Sequence, residues 1–299
     1  MIPYSVKSIS EIHRVAGLEK PLHPLISIID VSKLTNDTKV KAVVFDFYAV
    51  SLKRGCDNLF YGQQKYDFDE GLMAFMSPGQ ILRGDGGEQI SNMEGWMLFI
   101  HPDFLWNTPL AKKIKQYEFF RYAVNEALFL SDKEETMMNG IIQNIKNEYH
   151  SNIDKFSQEV IIAQLELMFT YAKRFYERQF ITRKITNHQI LARLEDILAN
   201  YFNQKDLSLK GLPTVQFVAD RLNISSKYLS SLLKQLTGQS TQQHIHEKLI
   251  EKAKEKLSTT DLSVSEIAYE LGFEHSQSFS KLFKSKTDQS PLEFRMDFN

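Results

Sequence analysis

TVQFVADRLNISSKYLSSLLKQLTGQS (residues 214–240) and SVSEIAYELGFEHSQSFSKLFKSKTDQS (residues 263–290) are two copies of one unit. At a spacing of 49 residues, Val215, Val218, Ala219, Leu222 and Ile224 meet Val264, Ile267, Ala268, Leu271 and Phe273. One residue is then inserted. At a spacing of 50, Leu229, Leu232, Lys234, Thr237, Gln239 and Ser240 meet Phe279, Leu282, Lys284, Thr287, Gln289 and Ser290. Ala219 and Ala268 are small enough for a second helix to cross closely, and Leu222 and Leu271 fall on the same helical face three residues on. Asn223 and Gly272 tolerate the left-handed conformation that ends a helix. Ile224 and Phe273 plug the turn into the core. Ser225 is placed to cap the next helix of the first copy; Glu274 or His275 has to open it in the second. Ser263 and Glu266 form a capping box ahead of the second copy. Two copies are too few for a solenoid, and each fits a helix-turn-helix.

LSVSEIAYELGF (262–273), SFSKLFK (278–284) and SPLEFR (290–295) resemble the AraC/XylS family of transcription regulators. Two positions depart from its pattern. Asp288 stands where the family usually has Gly or Asn, and Leu249 where a basic residue often opens the linker helix. The resemblance implies two helix-turn-helix subdomains joined by a rigid helix, for which 242–257 is the candidate. There His246, Ile250, Ala253 and Leu257 recur at intervals of three or four, with Leu249 beside them. His244 and His246 point to different faces of such a helix, which argues against a metal site. The family's base-facing positions fall on Lys227, Ser230 and Ser231 in a helix expected over 226–236. In a second, expected over 276–286, they fall on Ser276, Gln277, Ser280 and Lys281. Lys234 joins them as a DNA-binding candidate, and Lys284 and Lys286 as phosphate-contacting ones.

Net charge gives this reading little help. The chain carries a formal −1, and residues 188–299 hold 14 Lys+Arg against 14 Asp+Glu. A basic footprint therefore has to come from placement, as in the acid-free run of Lys281, Lys284 and Lys286. A length of 299 residues gives room for two domains, and 42% hydrophobic with 24% charged residues is ordinary for a globular chain. Cys56, the one cysteine, excludes an intramolecular disulfide, fits a reducing compartment, and is expected to be a plain loop or core thiol. The first twenty residues hold no long apolar run and nothing is long enough to span a membrane. A cytoplasmic protein without a membrane partner is expected.

LISIID (25–30), VKAVVFDFYAVSL (40–52), GLMAFMSP (71–78) and WMLFIHP (96–102) read as strands separated by turn-rich pieces. They fit a small barrel or jelly roll, and the family resemblance makes residues 1–130 a cupin-like sensor. Residues 1–130 hold only His13, His23 and His101, and Asp67, Asp69 and Glu70 read as a solvated turn. No metal, cofactor or catalysis is expected. Phe47, Phe75, Arg83 and Trp96 are the candidate effector-binding residues.

Residues 131–187 read as a helical pair and linker. Ser131 and Glu134 box the first helix, along which Met138, Ile141, Ile142, Ile145 and Tyr149 are apolar. Ser157 is placed to cap the second, striped by Ile161, Leu165, Met168, Ala172 and Phe175 and widened by Val160, Leu167 and Tyr171. The resemblance assigns dimerisation here. FITRKITNH (180–188) reads as the linker, with Asn187 capping the first helix of a DNA-binding domain over 188–299. The expected fold is thus α+β: a cupin-like β-barrel, a helical dimerisation pair and an all-α domain with two helix-turn-helix motifs. The expected protein is a non-enzymatic, ligand-responsive regulator. Its expected partners are double-stranded DNA, a small-molecule effector, a second copy of itself and, for an activator, RNA polymerase. The alternatives are a regulator answering a protein partner, and a cupin enzyme with a DNA-binding tail.

Overall fold

The computed structural model describes residues 3–34, 42–54, 60–61, 64–65, 71–83, 94–123, 126–151, 154, 156–182, 184–204 and 207–297. Cys56 and the Asp67, Asp69 and Glu70 cluster lie outside the described residues, as do the side chains of Arg83 and Asn187. The chain forms two compact units, Met1–Thr182 and Arg183–Asn299.

The first unit contains β1 (Tyr4–Val6), α1 (Ile9–Val15), β2 (Ile26–Asp30), β3 (Ala42–Phe45), β4 (Tyr48–Arg54), β5 (Phe60–Tyr61), β6 (Gln64–Lys65), β7 (Gly71–Met76), β8 (Ile81–Arg83), β9 (Glu94–Ile100), α2 (Leu110–Lys113), β10 (Leu128–Leu130), α3 (Asp132–His150) and α4 (Ser157–Thr182). Five strands pair antiparallel in the order β10-β7-β4-β9-β2. Three more form a sheet in the order β1-β3-β8, with β1 parallel to β3, and β5 pairs with β6. Among the described residues these are open sheets, with no closed barrel. Residues 40–52, read from sequence as one strand, are divided. β3 lies in the small sheet and β4 in the large one.

Phe47, at this crossing, is fully buried between the sheets with Val6, Phe45, Ala49, Met76 and Phe99. Pleating sends alternate residues of the large sheet to its other face, and that face is covered as well. Trp96 Nε1 donates to Asn139 Oδ1 of α3 at 2.9 Å, and Phe75 packs on Phe119, Phe120 and Tyr176 of α4. Burial on both faces explains why these strands read as continuous apolar runs rather than alternating ones.

Glu134 accepts the Ser131 backbone N–H and is bound by Arg178, which also donates to the Phe129 carbonyl; α3, α4 and β10 are thereby tied together. Met138, Ile141, Ile142, Ile145 and Tyr149 of α3 are buried. So are Ile161, Leu165, Met168, Ala172 and Phe175 of α4, whereas Val160 and Leu167 are exposed. The cap of α4 differs from expectation. Asp154 Oδ1 accepts the backbone N–H of Phe156 and of Ser157, and Ser157 Oγ accepts that of Asp154. A carboxylate three residues earlier outcompetes the serine as acceptor for the first-turn donors.

The second unit is all-helical: α5 (Lys184–Phe202), α6 (Leu207–Lys210), α7 (Val215–Leu222), α8 (Ser226–Thr237), α9 (Thr241–Thr259), α10 (Val264–Glu270), α11 (Ser276–Thr287) and α12 (Pro291–Met296). Residues 184–188, expected as linker, are helical, since neither Pro nor Gly lies between 177 and 206 to stop them. No helix among the described residues is long and apolar enough to cross a membrane.

Candidate nucleic-acid interface

The first helix-turn-helix is α7 and α8. Thr214 caps α7 by accepting the Phe217 N–H. Asn223 ends it at φ 57, and the Ile224 N–H returns to the Ala219 carbonyl at 3.1 Å. Ser225 then caps α8 through the Tyr228 N–H. Only three residues therefore separate the helices, which fixes a tight crossing. α8 buries Tyr228, Leu229, Leu232 and Leu233 and exposes Lys227 and Lys234. Burial raises the Tyr228 phenol well above its ordinary pKa, so it stays protonated. Ser226, Ser230 and Ser231 are half-buried. The Ser230 hydroxyl is turned inward: it donates to the Ser226 carbonyl at 2.8 Å and lies 3.3 Å from Thr241 Oγ1 of α9.

The second motif is α10 and α11. Ser263 and Glu266 make the capping box anticipated from the sequence. Those bonds hold the exposed Glu266 carboxyl below its usual pKa, the side-chain bond from Ser263 acting first and its backbone N–H second. Gly272 carries the turn at φ 89, and the Phe273 N–H returns to the Ala268 carbonyl at 3.0 Å. A Cβ at Gly272 would lie 2.8 Å from the Gly211 carbonyl group, so this turn needs glycine for its conformation and for the approach of the 207–211 segment. His275 occupies the N-cap of α11 without a side-chain bond. α11 buries Phe279 and Phe283, within an aromatic row running from Phe273 to Phe294. Gln277, Ser278, Lys281, Lys284, Ser285 and Lys286 are exposed, and Ser276 and Ser280 are half-buried. Among the described residues no carboxylate forms a salt bridge with Lys281, Lys284 or Lys286, whereas Lys248, Lys252 and Lys256 of α9 each pair with a glutamate. Asp288 ends α11 at φ 60, so it takes the left-handed conformation that Gly238 takes, at φ 75, after α8.

α9 joins the two motifs and packs on α5 and α8 as well as on α10 and α12. Ser240 and Gln243 box its start. Its buried residues are Thr241, Ile245, Leu249, Ile250, Ala253 and Leu257. The apolar part of the stripe therefore begins at Ile245, one turn after the buried Thr241, and His246 is displaced from it. A helix packed on two sides buries a wider face than one sequence ridge indicates, and the more apolar Ile245 fills it. The buried Leu249 belongs to this core, where a basic side chain would be unpaired. His246 pairs with Gln242, and burial together with the charge of Lys286 lowers its pKa. His244 instead meets Thr237.

Lys227, Lys234, Gln277, Lys281 and Lys284 thus share the solvent-facing sides of the two second helices, with Ser231, Ser276 and Ser280 half-exposed beside them. Ser226, matched by the repeat to Ser276, belongs with them. The 50-residue spacing alone could have identified it. The effector candidates of the first unit are not brought together. Phe47 lies between the sheets, and Phe75 and Trp96 are buried on the helical face. Among the described residues no cluster of His, Cys, Asp and Glu could hold a metal ion.

Residues 218–297 match the family described as helix-turn-helix domain. The chain is 30% identical, over 139 residues, to the HTH-type transcriptional activator RhaS of Escherichia coli O1:K1 / APEC, an alignment covering 46% of this chain and 45% of that protein. It is 28% identical, over 149 residues, to an uncharacterized HTH-type transcriptional regulator of Staphylococcus aureus (strain MSSA476), covering 50% of this chain and 19% of that protein. Among solved structures, the C-terminal domain of AraT, a response regulator from Geobacillus stearothermophilus, is similar at 33% identity and a TM-score of 0.32, covering 36% of this chain and 84% of that one. The chain spans less than half the length of either curated relative. Residues 218–297 are a helix-turn-helix domain.

Proposed function

We propose that this chain is a transcription regulator of the AraC type that binds double-stranded DNA, laying α8 and α11 in successive major-groove segments. The observation that carries this reading is the pair of exposed polar helix faces, held by one linker helix packed against both motifs, in a domain whose sequence matches the helix-turn-helix family. Exposed lysines contact phosphate and set register, while Gln277 and Lys281 reach base edges, Gln suiting adenine and Lys guanine. A formal balance of zero over residues 188–299 makes this local clustering the source of attraction. No reaction is assigned to the chain. The first unit is its control element: a cupin-like sensor for a small-molecule effector, read by residues other than the buried Phe47, Phe75 and Trp96. The exposed Val160 and Leu167 on α4 support pairing with a second copy there.

Titration of random-sequence and genome-selected duplexes at several salt concentrations tests the reading. Affinity should fall steeply with salt as counterions are released, and the selected pool should bind tighter. Lys284→Ala should weaken every sequence alike. Equal affinity for both pools at all salt concentrations refutes sequence-specific binding. Sedimentation of the full chain checks the pairing: Leu167→Asp should turn a dimer into a monomer.

A further inference from the structure

Ser226, the first residue of α8, is held by a short relay. Its Oγ donates to Gln216 Oε1 at 2.7 Å, and Gln216 Nε2 donates to Asp220 Oδ1 at 2.7 Å, one turn along α7. The chemistry of the three groups fixes the direction of every bond. A carboxylate accepts and does not donate, so Asp220 draws the amide nitrogen toward itself. The amide oxygen is then left facing Ser226. That oxygen also only accepts, so the serine proton is committed to it. What Ser226 can offer a third partner is a lone pair.

The second copy keeps the serine and lacks the relay. At a spacing of 50, Ser226 matches Ser276. At a spacing of 49, Gln216 matches Ser265 and Asp220 matches Tyr269. The Ser276 hydroxyl therefore has no such amide and carboxylate to orient it and is able to donate or accept.

In the major groove the adenine N6 and cytosine N4 amino groups donate, while guanine O6 and thymine O4 accept. A hydroxyl that can only accept discriminates between these two sets. We infer that Asp220 and Gln216 polarise Ser226 into a hydrogen-bond acceptor and so make it a specificity determinant, selecting an amino-bearing base, adenine or cytosine, on the strand that the start of α8 reaches. The inference rests on the assignment of α8 to the major groove above. Ser226 is the reader, and Gln216 and Asp220 are positioning residues.

Selection of bound sequences from a randomised duplex library, with the full chain, tests this. Ser226→Ala identifies the base position concerned as the one whose preference changes. There the parent should favour A or C over G or T by roughly fivefold, the scale of one net hydrogen bond. Gln216→Leu should abolish that preference as fully as Ser226→Ala does, and the double variant should lose no more than either alone. Asp220→Asn frees the amide to turn and should weaken the preference in the same direction. Base preferences in the half-site read by α11 should be unaltered in all variants, which verifies that the domain remains folded. Four results overturn the inference while leaving DNA reading intact: a preference for G or T in the parent, no changed position in Ser226→Ala, an amino preference that survives Gln216→Leu, or additive losses in the double variant. A parent chain that enriches no motif at all overturns the DNA-reading assignment and this inference together.

Discussion

α8 and α11 are both twelve residues long and align residue for residue at a spacing of 50, yet they are not packed alike. α8 buries four side chains and α11 two. Leu229 and Leu233 match Phe279 and Phe283, so each helix keeps a pair of anchors one turn apart. The difference lies at Tyr228, only 1% exposed, whose counterpart Ser278 is exposed, and at Leu232, whose counterpart Leu282 is half-buried. α11 compensates with larger anchors and leaves a broader polar face. One motif thus tolerates two burial widths, and the width decides how many side chains remain to meet a ligand. The turns differ for a similar reason. Asn223 needs only the left-handed conformation, whereas Gly272 must also admit the backbone of Gly211.

Exchanging the unmatched pair should produce the largest effect. Tyr228→Ser empties a buried site and should cost roughly 3–5 kcal/mol. Ser278→Tyr adds a ring on the surface and should change stability by no more than about 0.5 kcal/mol. Urea unfolding of the two variants measures this, and comparable losses would mean that the two helices are equally buried. Next in size are the turns. Gly272→Ala should cost more than about 2 kcal/mol, because strain at positive φ adds to a collision with backbone. Asn223→Ala should cost about 1 kcal/mol, for the conformation alone. Thermal unfolding that ranks these two the other way would remove the second role given to Gly272.

An effect of similar size, read in binding rather than in stability, separates the polar faces. Gln277→Ala should relax base preference at one or two positions by about 1–3 kcal/mol. Ser230→Ala should alter little, since that hydroxyl is engaged with the Ser226 carbonyl and Thr241. Selection-based binding profiles of both variants distinguish them, and a profile erased by Ser230→Ala alone would reverse the roles. The smallest effect is acid sensitivity, which should belong to the second half. Hydrogen bonds to Ser263 and Ser290 lower the pKa values of Glu266 and Glu293 in the folded chain, while α7 is capped by the uncharged Thr214 and α9 by a Ser–Gln box. A lowered folded pKa gives stability that is complete above the unfolded value and is lost as pH falls through the folded one. Melting temperature should therefore decline on acidification less steeply in Glu266→Gln and Glu293→Gln than in the parent. An identical decline in all three chains would locate the acid sensitivity elsewhere.

Much of the second unit was legible because its signals are local. Ala219, Leu222, Asn223 and Ser225 define a helix end, a turn and a cap within seven residues, and the second copy repeats the helix end and the turn through Ala268, Leu271 and Gly272. The helices expected over 226–236 and 276–286 end within one residue of those observed. Apart from the cap of α4, which is local, the misjudged features depend on neighbours distant in sequence. Ile245 heads the α9 stripe because that helix packs on four others, and Asp154 displaces Ser157 as a cap through geometry that residue preference alone does not rank. Residues 40–52 read as one strand because burial on both faces hides the break, at which Phe47 enters the space between two sheets. The short β1, β8 and β10 carry too few residues to signal alone and exist through pairing with β3 and β7.

By itself, then, the sequence determined two helix-turn-helix copies, the caps at Ser225 and Ser263, the order of their turns and the residue types on their outer faces, because hydrogen bonds and periodicity within a dozen residues specify these. Tertiary structure alone decided which of those residues are available. It buried Tyr228, turned Ser230 inward, pressed Gly272 against Gly211, and set Gln216 and Asp220 behind Ser226. Availability is fixed by the elements packed alongside, and a residue's type and spacing do not encode that neighbourhood.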